Sequence, residues 1–189
     1  MSDRDLDLVR KRGSYLQHVE NQTVEICIAA VKQYGFALGF VKEQTEEICL
    51  EAVKGYGQAL LYVEKQTDRI CLEAVKRDGN AILLVDNKTE EICLAAVMQN
   101  SKVLELVKDQ TEEMCLIAVK QNGEALRFVK DKSEEMCFEA MTNPCFGYDC
   151  DIPLGDERRL DSIKDPEIRE ICKRFNSDIR FLKTKSAKR

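Results

Sequence analysis

Six cysteines recur along the chain at one interval: Cys27, Cys49, Cys71, Cys93, Cys115 and Cys137 are each 22 residues apart. Chance does not hold such a spacing, so the chain reads first as a repeat protein. Other positions keep the same beat. Threonine stands at 23, 45, 67, 89 and 111, and Ser133 completes that series. Glycine stands at 13, 35, 57, 79 and 123, with Ser101 filling the gap. Two valine series follow, one from Val31 to Val119 and one from Val19 to Val129. Six copies therefore cover 13–144 with no insertion or deletion. A half-copy, 1–12, precedes them, because Leu6 and Val9 lie one period before Ile28 and Val31.

Each copy reads as two helices. In the copy that starts at Thr45, the threonine hydroxyl suits an N-cap and Glu46 and Glu47 suit the positive end of the helix dipole. Ile48, Cys49, Leu50, Ala52 and Val53 then gather on one side at 100° per residue, with Glu47, Glu51 and Lys54 opposite. Gly57 is expected to end this helix in the left-handed conformation. A second, shorter helix carries the stripe Ala59, Leu60 and Val63. Period-two alternation is missing, and no proline occurs within 13–143, so strands are not expected. One such hairpin cannot bury its own apolar face, whereas a stack of them can. The expected fold is an all-α solenoid of six 22-residue two-helix repeats. The half-repeat closes its N-terminal end, with Asp5 in the cysteine slot as a polar outer face, and a C-terminal helix caps the other end.

That stack sets a role for the cysteines. Cys49 lies near the centre of the apolar arc, and free cysteine packs as a small hydrophobe. Helix layers stack roughly 9–10 Å apart. A disulfide needs Cα atoms within about 7 Å, and zinc needs ligands at about 2.0–2.3 Å. Cysteines one layer apart meet neither condition, so they are expected to be reduced, buried and slow to react. No metal and no cofactor is expected. Redox or metal chemistry at the cysteines is the weaker alternative.

Composition narrows the function classes. The 189 residues are 44% hydrophobic and 33% charged with a net charge of −5, which is too apolar and too mildly charged for a wholly disordered chain. No run of about 18 apolar residues predicts a membrane span. The first residues, MSDRDLDLVRKRG, lack the apolar stretch of a secretory signal, so a reducing compartment and no secretion are expected. The single histidine, His18, falls in a repeat slot otherwise held by Phe40, Tyr62, Leu84, Leu106 and Phe128 and is read as a repeat residue, not a ligand or base. No phosphate loop, G-x-S-x-G or H-E-x-x-H is present, and an enzyme is not expected.

The segments TEEICLEAVK and QNGEALRFVK resemble a short tandem helical repeat of unknown function whose consensus runs close to AVKQNG-x-AL-x-(Y/F)V. That family is abundant in giant DNA viruses that infect amoebae. The resemblance covers about 13–144. It implies a helical repeat fold and a viral protein, acting in the host cytoplasm or carried in a virion. It supplies no catalytic or binding residues.

The copies differ at a few positions off the core stripes. Behind each glycine the residues run Ser14, Phe36, Gln58, Asn80, Lys102, Glu124. Three further on they run Gln17, Gly39, Leu61, Leu83, Glu105, Arg127. Phe36, Leu61, Leu83, Glu105 and Arg127 form the candidate interaction surface, although drift at solvent-facing positions gives the same variation. The repeat breaks at Pro144. Residues 145–165 read as a loop-rich connector in which Cys145 and Cys150 are a weak metal signal. Residues 166–182 read as the capping helix, with Cys172 in the cysteine slot, and 183–189 as a basic tail. Over 172–189 seven Lys or Arg face one acid, a net +6; with the chain at −5, residues 1–171 carry −11. Lys183, Lys185, Lys188 and Arg189 could touch nucleic acid, an acidic protein or a membrane surface, although a short basic end is more often a solvated tail, and the acidic remainder does not favour a DNA-coating role. The expected role is a non-catalytic scaffold that binds a host or viral protein partner. A structural component of a virion or large viral complex is the alternative.

Overall fold

A computed structural model describes residues 2–142 and, beyond them, Pro166, Arg169, Glu170 and Lys173, all four of them helical. The rest of the expected 145–165 connector, 166–182 helix and 183–189 tail lies outside the described residues. Among the described residues there is no strand, and the chain is an all-α repeat protein. Seven α-helices take the first-helix places: α1 (Ser2–Lys11), α2 (Val24–Gln33), α3 (Glu46–Gly55), α4 (Asp68–Arg77), α5 (Glu90–Gln99), α6 (Glu112–Gln121) and α7 (Glu134–Thr142). Between them stand six short elements: η1 (Gly13–His18), η2 (Gly35–Phe40), η3 (Gly57–Tyr62), η4 (Gly79–Leu84), η5 (Ser101–Leu106) and η6 (Gly123–Phe128).

The second element of every copy is a 3₁₀ helix and not the short α-helix its stripe suggests. The reason lies in the spacing of its buried residues. Gly57, Leu60 and Val63 are three apart and all buried, and three residues complete one 3₁₀ turn. That winding stacks all three directly above one another, where an α-helix would spread them over about 120°. The i→i+3 bonds are explicit at both ends: Ala59 N–H donates to Tyr56 O at 2.8 Å and Val63 N–H to Leu60 O at 3.1 Å.

The α-helices start where the sequence places them. The hydroxyls of Thr23, Thr45, Thr67, Thr89 and Thr111 accept from the backbone N–H three residues on, at 3.3–3.4 Å, and Ser133 does the same for Met136. They end differently. None of Gly13, Gly35, Gly57 or Gly79 has a φ in the left-handed region, which overturns the expected left-handed stop. The break falls one residue earlier, where Tyr56 is extended at φ −141° and ψ 95°. The glycine is required for space. A Cβ on Gly57 would lie 2.6 Å from Ala74 O of the next copy, and one on Gly79 would lie 2.8 Å from Ala96 O.

The chain divides into two compact units, Met1–Val103 and Leu104–Arg189. In the first, α1 to α5 pack in series and η1 to η4 pack in series beside them, each α-helix also resting on the preceding 3₁₀ element. That is solenoid stacking in two layers. In the second, α6 packs on α7, and both pack on η6. The core is the repeated set itself. All six cysteines are buried, as are Val31, Val53, Val75, Val97 and Val119 and, in the 3₁₀ elements, Leu16, Leu38, Leu60, Ile82, Leu104 and Leu126. At the N-terminal end Val9 is buried and Asp5 is half-buried.

Candidate functional site

The polar residues just before each threonine, which read from the sequence only as a turn, tie one copy to the next. Gln44 reaches forward so that its Nε2 donates to Tyr62 O at 2.8 Å and its Oε1 accepts from Glu64 N–H at 3.1 Å. These are backbone groups at the end of the following 3₁₀ helix, where regular structure leaves them without partners. Gln22, Gln66 and Gln110 make the same pair of bonds. Lys88 takes this slot in its own copy and donates instead to Val85 O at 2.8 Å. Period alone could have flagged these glutamines, since four of the six slots hold one.

The same amides receive the thiols. Sγ of Cys27, Cys49, Cys71 and Cys115 donates to the Oε1 of the glutamine five residues before it, at 3.9, 3.4, 3.2 and 3.7 Å. Burial pushes all four of these thiols up from the ordinary value of 9.0. Carboxylates add to it: Glu64 and Glu46 for Cys49, Asp68 and Asp86 for Cys71, Asp131 and Glu112 for Cys115. The thiolate is the form that attacks and ligates, and this setting disfavours it. Among the described residues no group of three or more His, Cys, Asp or Glu side chains is arranged to hold a metal ion.

The variable positions lie on the outer faces of the 3₁₀ elements. Leu61 on η3 and Leu83 on η4 are 62% and 64% exposed, and those two elements pack side by side. Phe36 on η2 is half-buried. Glu105 on η5 and Arg127 on η6, both exposed, belong to the second unit; the Arg127 guanidinium lies 5.3 Å from the centre of the Phe128 ring. His18 is exposed, its ring 5.6 Å from that of Tyr15. Lys183, Lys185, Lys188, Arg189, Cys145, Cys150 and Cys172 lie outside the described residues. A groove of 600 Å³ opens in the second unit, where Lys108 and Lys130 line it together with Asp109 and Asp131. Its charges are of both signs.

Around Phe36 the structure assembles something the variable-position list omitted. Its ring is 5.5 Å from that of Tyr34, 6.3 Å from Tyr56 and 5.9 Å from Tyr62. Tyr34, Tyr56 and Tyr62 are each about 40% exposed. Gly39 makes room, since a Cβ there would lie 2.8 Å from the Tyr62 ring. Comparing copies at the position before the glycine would have revealed Tyr34 and Tyr56.

The model of a domain of unknown function, DUF4116, matches residues 23–67, 45–88 and 89–135. The chain belongs to the DUF4116 family. Each match starts at a capping threonine and spans about two 22-residue copies, and the first two overlap by one copy. No match was found among curated proteins or among solved structures. Among the described residues, no helix is long and apolar enough to cross a membrane.

Proposed function

We propose that this DUF4116 chain is a non-catalytic repeat scaffold that binds a protein partner through the outer faces of its 3₁₀ elements. One observation carries this reading: the buried set is the same in every copy, while the exposed residues beside it change from copy to copy. Leu61 and Leu83 are exposed and Phe36 half-buried on one unit, and Glu105 and Arg127 are exposed on the other. A constant frame with a changing surface is how repeat proteins present binding sites. Nothing in this reading requires catalysis. The reduced, buried thiols suit a reducing compartment, and the family resemblance suggests a viral protein in the host cytoplasm. Nucleic acid is an unlikely target except through the basic tail.

Affinity capture of the full chain from the cells that make it, with quantitative mass spectrometry, tests the reading. A stoichiometric partner that co-elutes in light scattering supports it. No partner at all refutes it. A structural part in a virion or large viral complex is the second reading, favoured by the locks between copies: glycines at the closest approaches and paired glutamine bonds. Stoichiometric presence of the chain in purified particles, with no host partner, would select that role.

A further inference from the structure

We infer that the aromatic cluster of Tyr34, Phe36, Tyr56 and Tyr62, with the basic side chains beside it, is a docking site for an extended acidic segment of another protein. This rests on the scaffold reading and names its surface and its partner. Four of the chain's seven phenylalanines and five tyrosines meet here. Tyr62 fills the repeat's own aromatic slot, but the framework does not ask for Tyr34, Phe36 or Tyr56. At the position before the glycine the copies run Arg12, Tyr34, Tyr56, Asp78, Asn100, Asn122. Asp78, Asn100 and Asn122 each accept from the backbone N–H two residues on, at 3.0–3.1 Å, and so cap the 3₁₀ helix. Tyr34 and Tyr56 make no such bond. These two copies give up a cap that folding favours and place rings at the surface instead. Rigid aromatics with a polar tip are the residues that dominate protein interfaces.

Charge selects the occupant. In this unit the last turns of α1, α2 and α3 carry Arg10, Lys11, Lys32 and Lys54, and Arg12 heads the column of rings. A Cβ on its neighbour Gly13 would lie 2.8 Å from the Tyr34 Cβ, so Arg12 and Tyr34 stand in adjacent layers. Lys11 and Arg12 are exposed, with no carboxylate at ion-pair distance among the described residues. Glu25 reaches Arg10 at 3.9 Å, and Glu51 is held by Lys32 at 3.2 Å and Lys54 at 3.8 Å. Asp78 stands in the layer next to Tyr56 and accepts from the Gln58 side-chain amide at 2.6 Å. A chain of net charge −5 thus shows a locally basic edge beside its aromatic cluster, and that edge complements carboxylates. Nucleic acid fits less well. The rings meet each other tilted or edge-on, at 41–75°, and leave no row of open faces for successive bases. From Arg12 to Tyr56 is two layers of roughly 9–10 Å each, a span that about six extended residues cover.

Fluorescence polarisation tests this with a labelled peptide of about eight residues in which Asp and Glu alternate with Leu and Pro. Its counterpart carries Lys in place of the acids, and oligo(dT) serves as a third probe. The full chain is compared with a variant bearing Tyr34→Asn and Tyr56→Asn, and with Arg12→Glu. Asparagine is the residue the fold itself uses at this position, so unchanged far-ultraviolet circular dichroism is expected. The acidic peptide should bind saturably and lose at least about tenfold in affinity with either variant. Equal or tighter binding of the lysine peptide or of oligo(dT), no binding of the acidic peptide, or unchanged affinity in both variants overturns the proposal. The variants also separate the two readings. A cellular partner retained by the asparagine variant leaves the scaffold standing and removes this surface. No partner for either protein removes the scaffold.

Discussion

At Gly57 the next copy's backbone comes too close for a side chain. The approach of Ala74 O leaves no room for even a methyl group, and a carbonyl oxygen in a helix cannot swing aside as a side chain tip can. Gly57→Ala should therefore cost about 1–3 kcal/mol, the usual range for overpacking, seen as a lower urea midpoint at unchanged m-value. A helix-stop glycine with positive φ would give strain confined to one copy; the structure predicts strain shared with the next. Gln44 acts by hydrogen bonding across the preceding joint. Gln44→Ala strips partners from Tyr62 O and Glu64 N–H. Both sites are partly exposed, so water takes up part of the loss, and about 1 kcal/mol is expected in the same unfolding assay. Cys93 fails differently. It is buried in the middle of the repeat series, and Cys93→Asp puts an unpaired charge there, worth about 3–5 kcal/mol and sufficient to abolish a folded circular dichroism spectrum. An unchanged melting temperature for this variant would contradict the core register.

At the scale of the element, the α-helices and 3₁₀ helices were legible to different degrees. The α-helix announces itself through the threonine cap, the acidic first turn and the 100° stripe, and all three hold in the structure. The shorter element is only six residues long, and stripes at i, i+1, i+4 and at i, i+3, i+6 both fit its sequence. The choice depends on whether Gly57 counts as a stop or as a buried member of the stripe, and that is decided by the neighbouring copy. The thiols carry the pH behaviour of the α-helices. Folding raises the values of Cys27, Cys49, Cys71 and Cys115 above 9.0, so the folded chain keeps protons that the unfolded chain releases. Below 9.0 both states are protonated and the stabilisation is complete. As pH climbs above 9.0 it is lost until the folded thiols ionise as well. Urea midpoints should accordingly fall from pH 9.0 upward. In a variant with all four replaced by alanine the fall should be shallower, even if its midpoint at neutral pH is lower.

On the scale of the molecule, stability comes from stacking, because a single copy has little to bury its apolar face against. The Met1–Val103 unit holds five α-helices and four complete 3₁₀ elements with continuous packing between neighbours. A fragment 1–103 should keep its helical circular dichroism and melt cooperatively, whereas one copy alone, 45–66, should be unfolded. A fragment 1–103 without helical signal would mean that its packing depends on the rest of the chain. Ion pairs that link copies, such as Lys32–Glu51 and Lys120–Glu139, join a half-buried glutamate to an exposed lysine. Exposed pairs of this kind contribute about 0.2–1 kcal/mol each, so salt should shift the melting temperature only slightly.

The sequence alone determined the period, the copy boundaries, the helix starts and the core. Each is a local or periodic property: a cap needs only three residues, and a buried stripe needs only its own spacing. The tertiary structure decided the rest. That glycine serves close approach, that glutamine bonds to the following copy and that four rings from two copies meet beside a basic edge are all relations between residues about 20 positions apart. No single copy encodes them, because each depends on which backbone atoms the next layer brings within reach.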